Sequence, residues 1–229
     1  MAAIQTIIDN CSGLTINRRK VVGLQITRNQ IPRVSTTPTK NPWQMELDMP
    51  TSFKYADARA LMESVDTLDR TGYEDVTFSN NACLNWIFAY QGALSLIQLN
   101  TITVNSFDNN VLELNVSLIS EPANTVMFKP NDLIQIGTHP YPFTVTEEVL
   151  RGSGTIVPIV MSRPNIITGS VVGNNITVGN TCTFRMFCPN MPVYKLIPGG
   201  YSQSGGVTTG NAFIEWSEAF QLYEYVGTS

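Results

Sequence analysis

"FKPNDLIQIGTHPYPFTV", residues 128–145, is the stretch on which the reading of the chain turns. Two apolar runs, "DLIQI" and "FTV", flank "GTHPYP", a segment with one glycine and two prolines. Apolar runs of this length separated by turn residues predict an antiparallel hairpin. His139, the single histidine of the 229 residues, falls in the turn. A catalytic histidine needs a nucleophile or carboxylate partner. A histidine between strand ends is ordinarily a turn residue, so the stretch reads as part of a sheet rather than as a reactive centre.

The surrounding sequence repeats the pattern. "WQMELDMP" places Trp43, Met45, Leu47 and Met49 on one face and Gln44, Glu46 and Asp48 on the other, a half-buried strand stopped by Pro50. "KVVGLQITR", "EDVTFS", "LNWIFAY", "NTITVNSFDNNVLELNVSL", "GTIVPIVM", "SVVGNNITVG", "CTFRMFC" and "FQLYEYV" are further strand segments. Hairpins are expected at Asn109-Asn110 and Asn174-Asn175. Pro158 removes a ladder donor and confines its strand to an edge or a bulge. Residues 76–107 carry no charge, but Asn80, Asn81, Asn85, Gln91, Gln98 and Asn100 interrupt them. No window offers the ~20 mainly apolar residues of a spanning helix, and the segment reads as buried sheet.

One helix stands out, near residues 53–70. Tyr55, Ala58, Met62, Val65 and Leu68, with Leu61, form an apolar stripe, while Asp57, Glu63, Asp66 and Asp69 occupy the outer face. Thr51 or Ser52 can cap its start and Gly72 can close its end. Residues 1–40 read as an extended basic N-terminal arm, with Arg18, Arg19, Lys20, Arg28, Arg33 and Lys40 against Asp9. Residues 41–229 then form a single β-rich domain. The expected fold is mainly β, a barrel or sandwich with one amphipathic helix.

Composition narrows the function. Charged residues make up 14% of the chain against a common value of roughly 25%. Threonine (24) and asparagine (20) fill the deficit, which favours pleated surfaces and turns and suggests that partners cover part of the surface. The net charge of −4 argues against bulk binding of nucleic acid or anionic membrane. Acidic residues 46–75 offer a counterpart to the basic arm. Cys11, Cys83, Cys182 and Cys188 form no CxxC pair, so free thiols are expected and a zinc site is not. "MAAIQTIIDN" lacks the basic and apolar regions of a signal peptide.

The remaining chemistry is thin. The glycine-rich "PGGYSQSGGVTTGN", 198–211, lacks the Lys-Ser/Thr ending and the following helix of a phosphate loop and reads as a flexible surface loop. Glu46/Asp48 and Glu215/Glu218 beside Trp216 are carboxylate pairs of the kind glycoside hydrolysis uses, but nothing fixes their separation. "RRK", 18–20, is too short for a nucleic-acid patch. No catalytic, cofactor-binding or metal-binding residue is assigned, and the chain is not read as an enzyme.

The order of the pieces resembles a family. "MFKPNDLIQIGTHPYPFTVTEEVLRGSGTIVPIVMSRP" and the ending "CTFRMFCPNMPVYKLIPGGY…FIEWSEAFQLYEYV" look like tailed-phage tail-tip proteins of the distal-tail type, over residues 40–226. Pro130-Asn131-Asp132 stands where that family has Pro-Gly-Asp, and asparagine tolerates the left-handed backbone that glycine supplies. The resemblance implies a tail-tube-like β-barrel or sandwich that assembles into a homo-hexameric ring at the tail tip or baseplate. Such a ring links the tail tube to the hub or fibres of the virion, after assembly in the host cytoplasm, with no active site, specific nucleic acid, membrane insertion or cofactor. The residues alone leave a carbohydrate-binding β-sandwich, a receptor-binding tip module, as the alternative.

Overall fold

The computed structural model describes residues 3–17, 22–26, 32–36, 42–50, 53–67, 72–190, 192–204 and 207–226. In chain order the elements are α1 (Ala3–Asn10), β1 (Gly13–Asn17), β2 (Val22–Ile26), β3 (Pro32–Thr36), β4 (Gln44–Asp48), β5 (Phe53–Lys54) and α2 (Tyr55–Thr67). They continue as β6 (Glu74–Val76), α3 (Leu96–Leu99), β7 (Thr103–Asp108), β8 (Val111–Asn115), β9 (Val126–Phe128), β10 (Leu133–Ile136), β11 (Phe143–Thr144) and β12 (Val149–Leu150). The last are β13 (Ile156–Val160), β14 (Ile176–Val178), β15 (Phe184–Phe187), β16 (Tyr194–Ser204), β17 (Val207–Trp216) and β18 (Phe220–Glu224). Strand makes up 38% and helix 14%, so the chain is mainly β, built from several small antiparallel sheets and no closed barrel. No described helix is long and apolar enough to cross a membrane.

The chain divides into two compact units, residues 1–16, 44–89 and 180–229 in the first and 17–43 and 90–179 in the second. The division runs through the single domain expected from residue 41.

In the first unit a five-stranded sheet has the order β1-β4-β18-β15-β6. Its register puts Phe220 opposite Leu47, Leu222 opposite Met45 and Phe184 opposite Val76, all six essentially inaccessible to solvent. The alternation expected for β4 is observed, with Met45 and Leu47 buried and Glu46 and Asp48 exposed. A second sheet, β16-β17-β5, carries α2, whose Ala58 and Met62 pack on Ile214. Leu61 is buried too, as the stripe predicted. Leu68 and the caps at residues 51–52 lie outside the described residues.

Residues 3–17 depart from the extended arm. They form α1 and β1, and Ala3, Ile4, Ile7, Ile8 and Cys11 are at most 3% exposed. An isolated eight-residue helix is unstable in water. Here its ends and its middle are held by residues 74–81. The Glu74 carboxylate accepts from the N–H groups of Ala3 (2.8 Å), Ile4 (2.7 Å) and Gln5 (3.3 Å), three donors that a helix start leaves without intrahelical partners. The Gln5 amide exchanges two hydrogen bonds with the Thr77 backbone, donating at 2.8 Å and accepting at 2.9 Å. Buried Asn81 donates to the Ile8 carbonyl (2.5 Å) and the Cys11 carbonyl (3.3 Å) at the helix end. Of the remaining arm, β2 and β3 pair as a hairpin, and residues 18–21, 27–31 and 37–41 are outside the described set.

Three other expectations, two of strand pairing and one of a loop, fail for local reasons. "LNWIFAY" is a run of turns: the Asn81 side chain accepts from the N–H groups of Cys83 and Leu84, both at 2.8 Å, which favours turns over a ladder. Residues 76–107 as a whole are thus turns and α3 between β6 and β7, rather than continuous sheet. Asn174-Asn175 makes no hairpin, because the reversal falls at Val172-Gly173 (φ +81°) and β14 pairs with β10. The glycine-rich 198–211 lies mostly in β16 and β17, paired through a bulge between Pro198 and Tyr201.

The second unit contains two three-stranded sheets, β13-β8-β7 and β11-β10-β14, and the pairs β12-β9 and β2-β3. The β7–β8 hairpin turns at Asn109-Asn110 as predicted, with Asn109 at φ +52°. Pro158 sits on β13, an edge strand of its sheet. Single bridges, Thr103 to Asn175 and Val145 to Met161, join the two sheets at both edges around Leu112, Leu114, Ile134, Phe143 and Ile159.

Removing the Glu74 carboxylate should free three partly buried donors at once. Glu74→Ala is expected to cost about 2 kcal/mol in denaturant unfolding, and Glu74→Gln, which keeps one acceptor oxygen, less than half of that. Equal, negligible costs would contradict the clamp.

Candidate functional site

The residues singled out by sequence are spread over both units. His139 lies in the β10–β11 hairpin, where its N–H donates to the Ile136 carbonyl (3.2 Å) and its carbonyl accepts from Tyr141 N–H (2.8 Å). That is the turn role expected. Glu46 and Asp48 share the solvent face of β4, Glu46 opposite Gln221 of β18. Glu215 is exposed opposite Lys195, and Glu218 is exposed beyond the end of β17. Residues 18–20 are outside the described set.

No disulfide joins the four cysteines: Cys11 and Cys182 are buried, Cys188 is half-buried and Cys83 is exposed. Burial pushes the Cys11 thiol up to about 11. A thiol in this state is a poor nucleophile. With a maleimide on the native protein, Cys83 should react first and Cys11 only on unfolding; fast labelling of Cys11 would contradict its burial.

A concavity lies in the second unit, at the seam where β11 meets β13. Thr146 N–H donates to the Val160 carbonyl (3.0 Å), Ser162 N–H to the Thr144 carbonyl (2.9 Å), and the Thr144 and Ser162 hydroxyls meet at 2.5 Å. The Pro130-Asn131-Asp132 turn closes one side. Asn131 adopts φ +72°, the left-handed conformation anticipated for it. Its N–H donates to the Val145 carbonyl (2.9 Å), and Asp132 N–H closes the turn on the Lys129 carbonyl (3.0 Å). The Asp132 carboxylate is buried and accepts from the N–H groups of Lys129 (2.8 Å) and Gln91 (2.9 Å). Desolvation raises its pKa above the usual aspartate range, and the two hydrogen bonds oppose the rise. The resulting pocket, about 390 Å³, is lined by Trp43, Pro130, Asn131, Thr144, Val145, Thr146, Ser162 and Arg163. Trp43 Nε1 (3.2 Å) and Arg163 Nη2 (2.8 Å) both donate to the Pro142 carbonyl, and the guanidinium lies 4.9 Å from the centre of the Phe143 ring.

Nothing in the sequence reading brought Trp43, Thr144, Ser162 and Arg163 together. Trp43 was legible only as one apolar residue on the buried face of "WQMELDMP".

The exposed apolar side chains form a separate class of feature. In the first unit residues 193–199 are exposed without interruption, including Val193 (74%), Tyr194, Leu196 (44%) and Ile197. From Tyr194 on they run along β16, an edge strand of its sheet among the described residues. In the second unit, Leu96 (76%) and Ile97 (80%) sit on α3, which a Ser95/Gln98 capping box and a Gln98–Glu121 hydrogen bond (2.8 Å) hold in place. No protein-family model and no curated protein matches the chain.

Proposed function

We propose that the chain is a structural virion protein, a distal-tail-like component of the phage tail tip or baseplate. It works by self-assembly, forming a homo-hexameric ring that links the tail tube to the hub or fibres. The observation that carries this reading is the edge of β16. A bare strand edge presents a row of backbone donors and acceptors, and folded proteins blunt such edges with charge, proline or cover. Along Val193–Ile197 the only charge is Lys195, and Pro198 ends the stretch. The 14% charge content fits a chain whose flanks meet neighbours, as a closed ring requires. For the second unit we infer a barrel-like wrap of the tail-tube kind. Its support is the pair of bridges that join the two three-stranded sheets at both edges.

Native mass spectrometry tests the reading. The intact chain should give a six-copy ring, and Leu196→Lys/Ile197→Lys should give monomers with unchanged circular dichroism. Both side chains are half-exposed, so the substitutions should leave subunit stability within about 0.5 kcal/mol. An intact chain that is monomeric, or rings that survive the double substitution, would contradict it.

A further inference from the structure

We propose that Tyr73 and Tyr225, in the first unit, are a site of oxidative modification, a tyrosine pair poised to couple into a dityrosine cross-link that latches the end of β18 to the sheet. The inference stands apart from ring formation, since both residues belong to one subunit. The two rings stack with centres 4.9 Å apart and planes 19° from parallel. That geometry is the offset stack of two aromatic rings in van der Waals contact. Strand β15 holds both members. Arg185 Cζ lies 4.4 Å from the centre of the Tyr73 ring, and its guanidinium is fixed by a fork on the Asp75 carboxylate (2.8 and 3.0 Å). The Tyr225 N–H donates to the Arg185 carbonyl (2.8 Å), and the Phe187 and Tyr225 rings meet edge to face at 6.1 Å. Partners held in this way have little freedom left to lose when they join.

Access is the second requirement. Tyr73 is 45% and Tyr225 36% exposed, so an oxidant in solvent reaches both. Tyr194 is exposed as well but packs on Trp216, Tyr223 packs on Phe187, and Tyr141 is buried. The oxidant is of the one-electron class, a peroxidase with hydrogen peroxide. Each phenol gives up one electron and its hydroxyl proton, leaving a radical whose spin lies partly on the ring carbons beside the oxygen, Cε1 and Cε2. A Cε carbon of each ring forms the new C–C bond. The hydrogen on each bonded carbon then moves to the oxygen and restores the phenols. Two electrons and two protons leave in all, and they reduce one hydrogen peroxide to two waters. The bond closes a loop between positions 73 and 225, and a cross-link over so long a loop restricts the unfolded chain. Thiols cannot reduce it, in contrast to a disulfide.

Oxidation of the intact chain with a peroxidase and hydrogen peroxide tests the site, read by peptide mapping of the monomer band after denaturing electrophoresis. A peptide pair joined through Tyr73 and Tyr225 is expected, lighter by two hydrogens than the separate peptides together, with dityrosine fluorescence in the monomer band. Tyr73→Phe and Tyr225→Phe keep the stacked rings and should each lose that fluorescence, whereas Tyr223→Phe should keep it. The intact chain and Tyr73→Phe should unfold alike in urea before oxidation. After the same treatment, the coupled chain should unfold at a higher urea concentration than the variant. The proposal is overturned if the joined peptide is absent, if dityrosine forms only between chains, if Tyr73→Phe retains the monomer fluorescence, or if the two oxidised proteins still unfold alike.

Discussion

The Glu74 carboxylate receives three backbone N–H groups from a helix about seventy residues earlier in the chain, and the organisation of the first unit rests on that contact. Without it, α1 would start with bare donors beside the sheet, a helix too short to persist alone. With it, and with Gln5 on Thr77 and Asn81 on Ile8 and Cys11, Ile4, Ile7 and Ile8 are inserted into the core at 0–1% exposure. The neighbouring chain is shaped by the same residues. Asn81 uses its carboxamide oxygen to turn residues 83 and 84. Phe78, Phe88 and Phe184 then meet edge-to-face or tilted, with centroids 5.1–5.7 Å apart. One short segment thus joins the N-terminal helix, the irregular run after β6 and the sheet through β15.

Strand periodicity made much of the β architecture readable. Met45/Leu47 against Glu46/Asp48, the Asn109-Asn110 hairpin, Pro158 on an edge and the left-handed Asn131 all follow from local rules, because each depends on residues adjacent in sequence. What local rules missed were long-range hydrogen bonds. The period of Ala3, Ile4, Ile7, Ile8 and Cys11 was present in the sequence, but a short helix with basic residues after it read as an arm. Its caps come from positions 74 and 81, which no local signal connects to it. Likewise "LNWIFAY" has a strand's composition, and a single preceding asparagine diverts it into turns.

The features with functional weight were the least legible. The pocket draws on Trp43, on the turn at Asn131, and on residues 144–146 and 162–163, the last two joined by the bridge between Val145 and Met161. The exposed residues 193–197 directly precede the glycine-rich stretch 198–211, whose glycines suggested a loop. A bulge after Pro198 lets the pairing with β17 continue through the glycines, and among the described residues β16 is an outer strand of its sheet. His139, the natural starting suspect, remained a turn residue because its neighbours are strand ends.

The N-terminal segment, residues 3–16, is core rather than arm, held by residues 74–81. Amide hydrogen exchange of the intact chain, read by mass spectrometry over peptides from residues 3–16, tests it most directly. These amides should be protected to an extent comparable to peptides from β4 and β18 and lose protection together with them in denaturant, because all open with the same unit. Complete exchange of residues 3–16 at the first time point, while β4 and β18 stay protected, would contradict it.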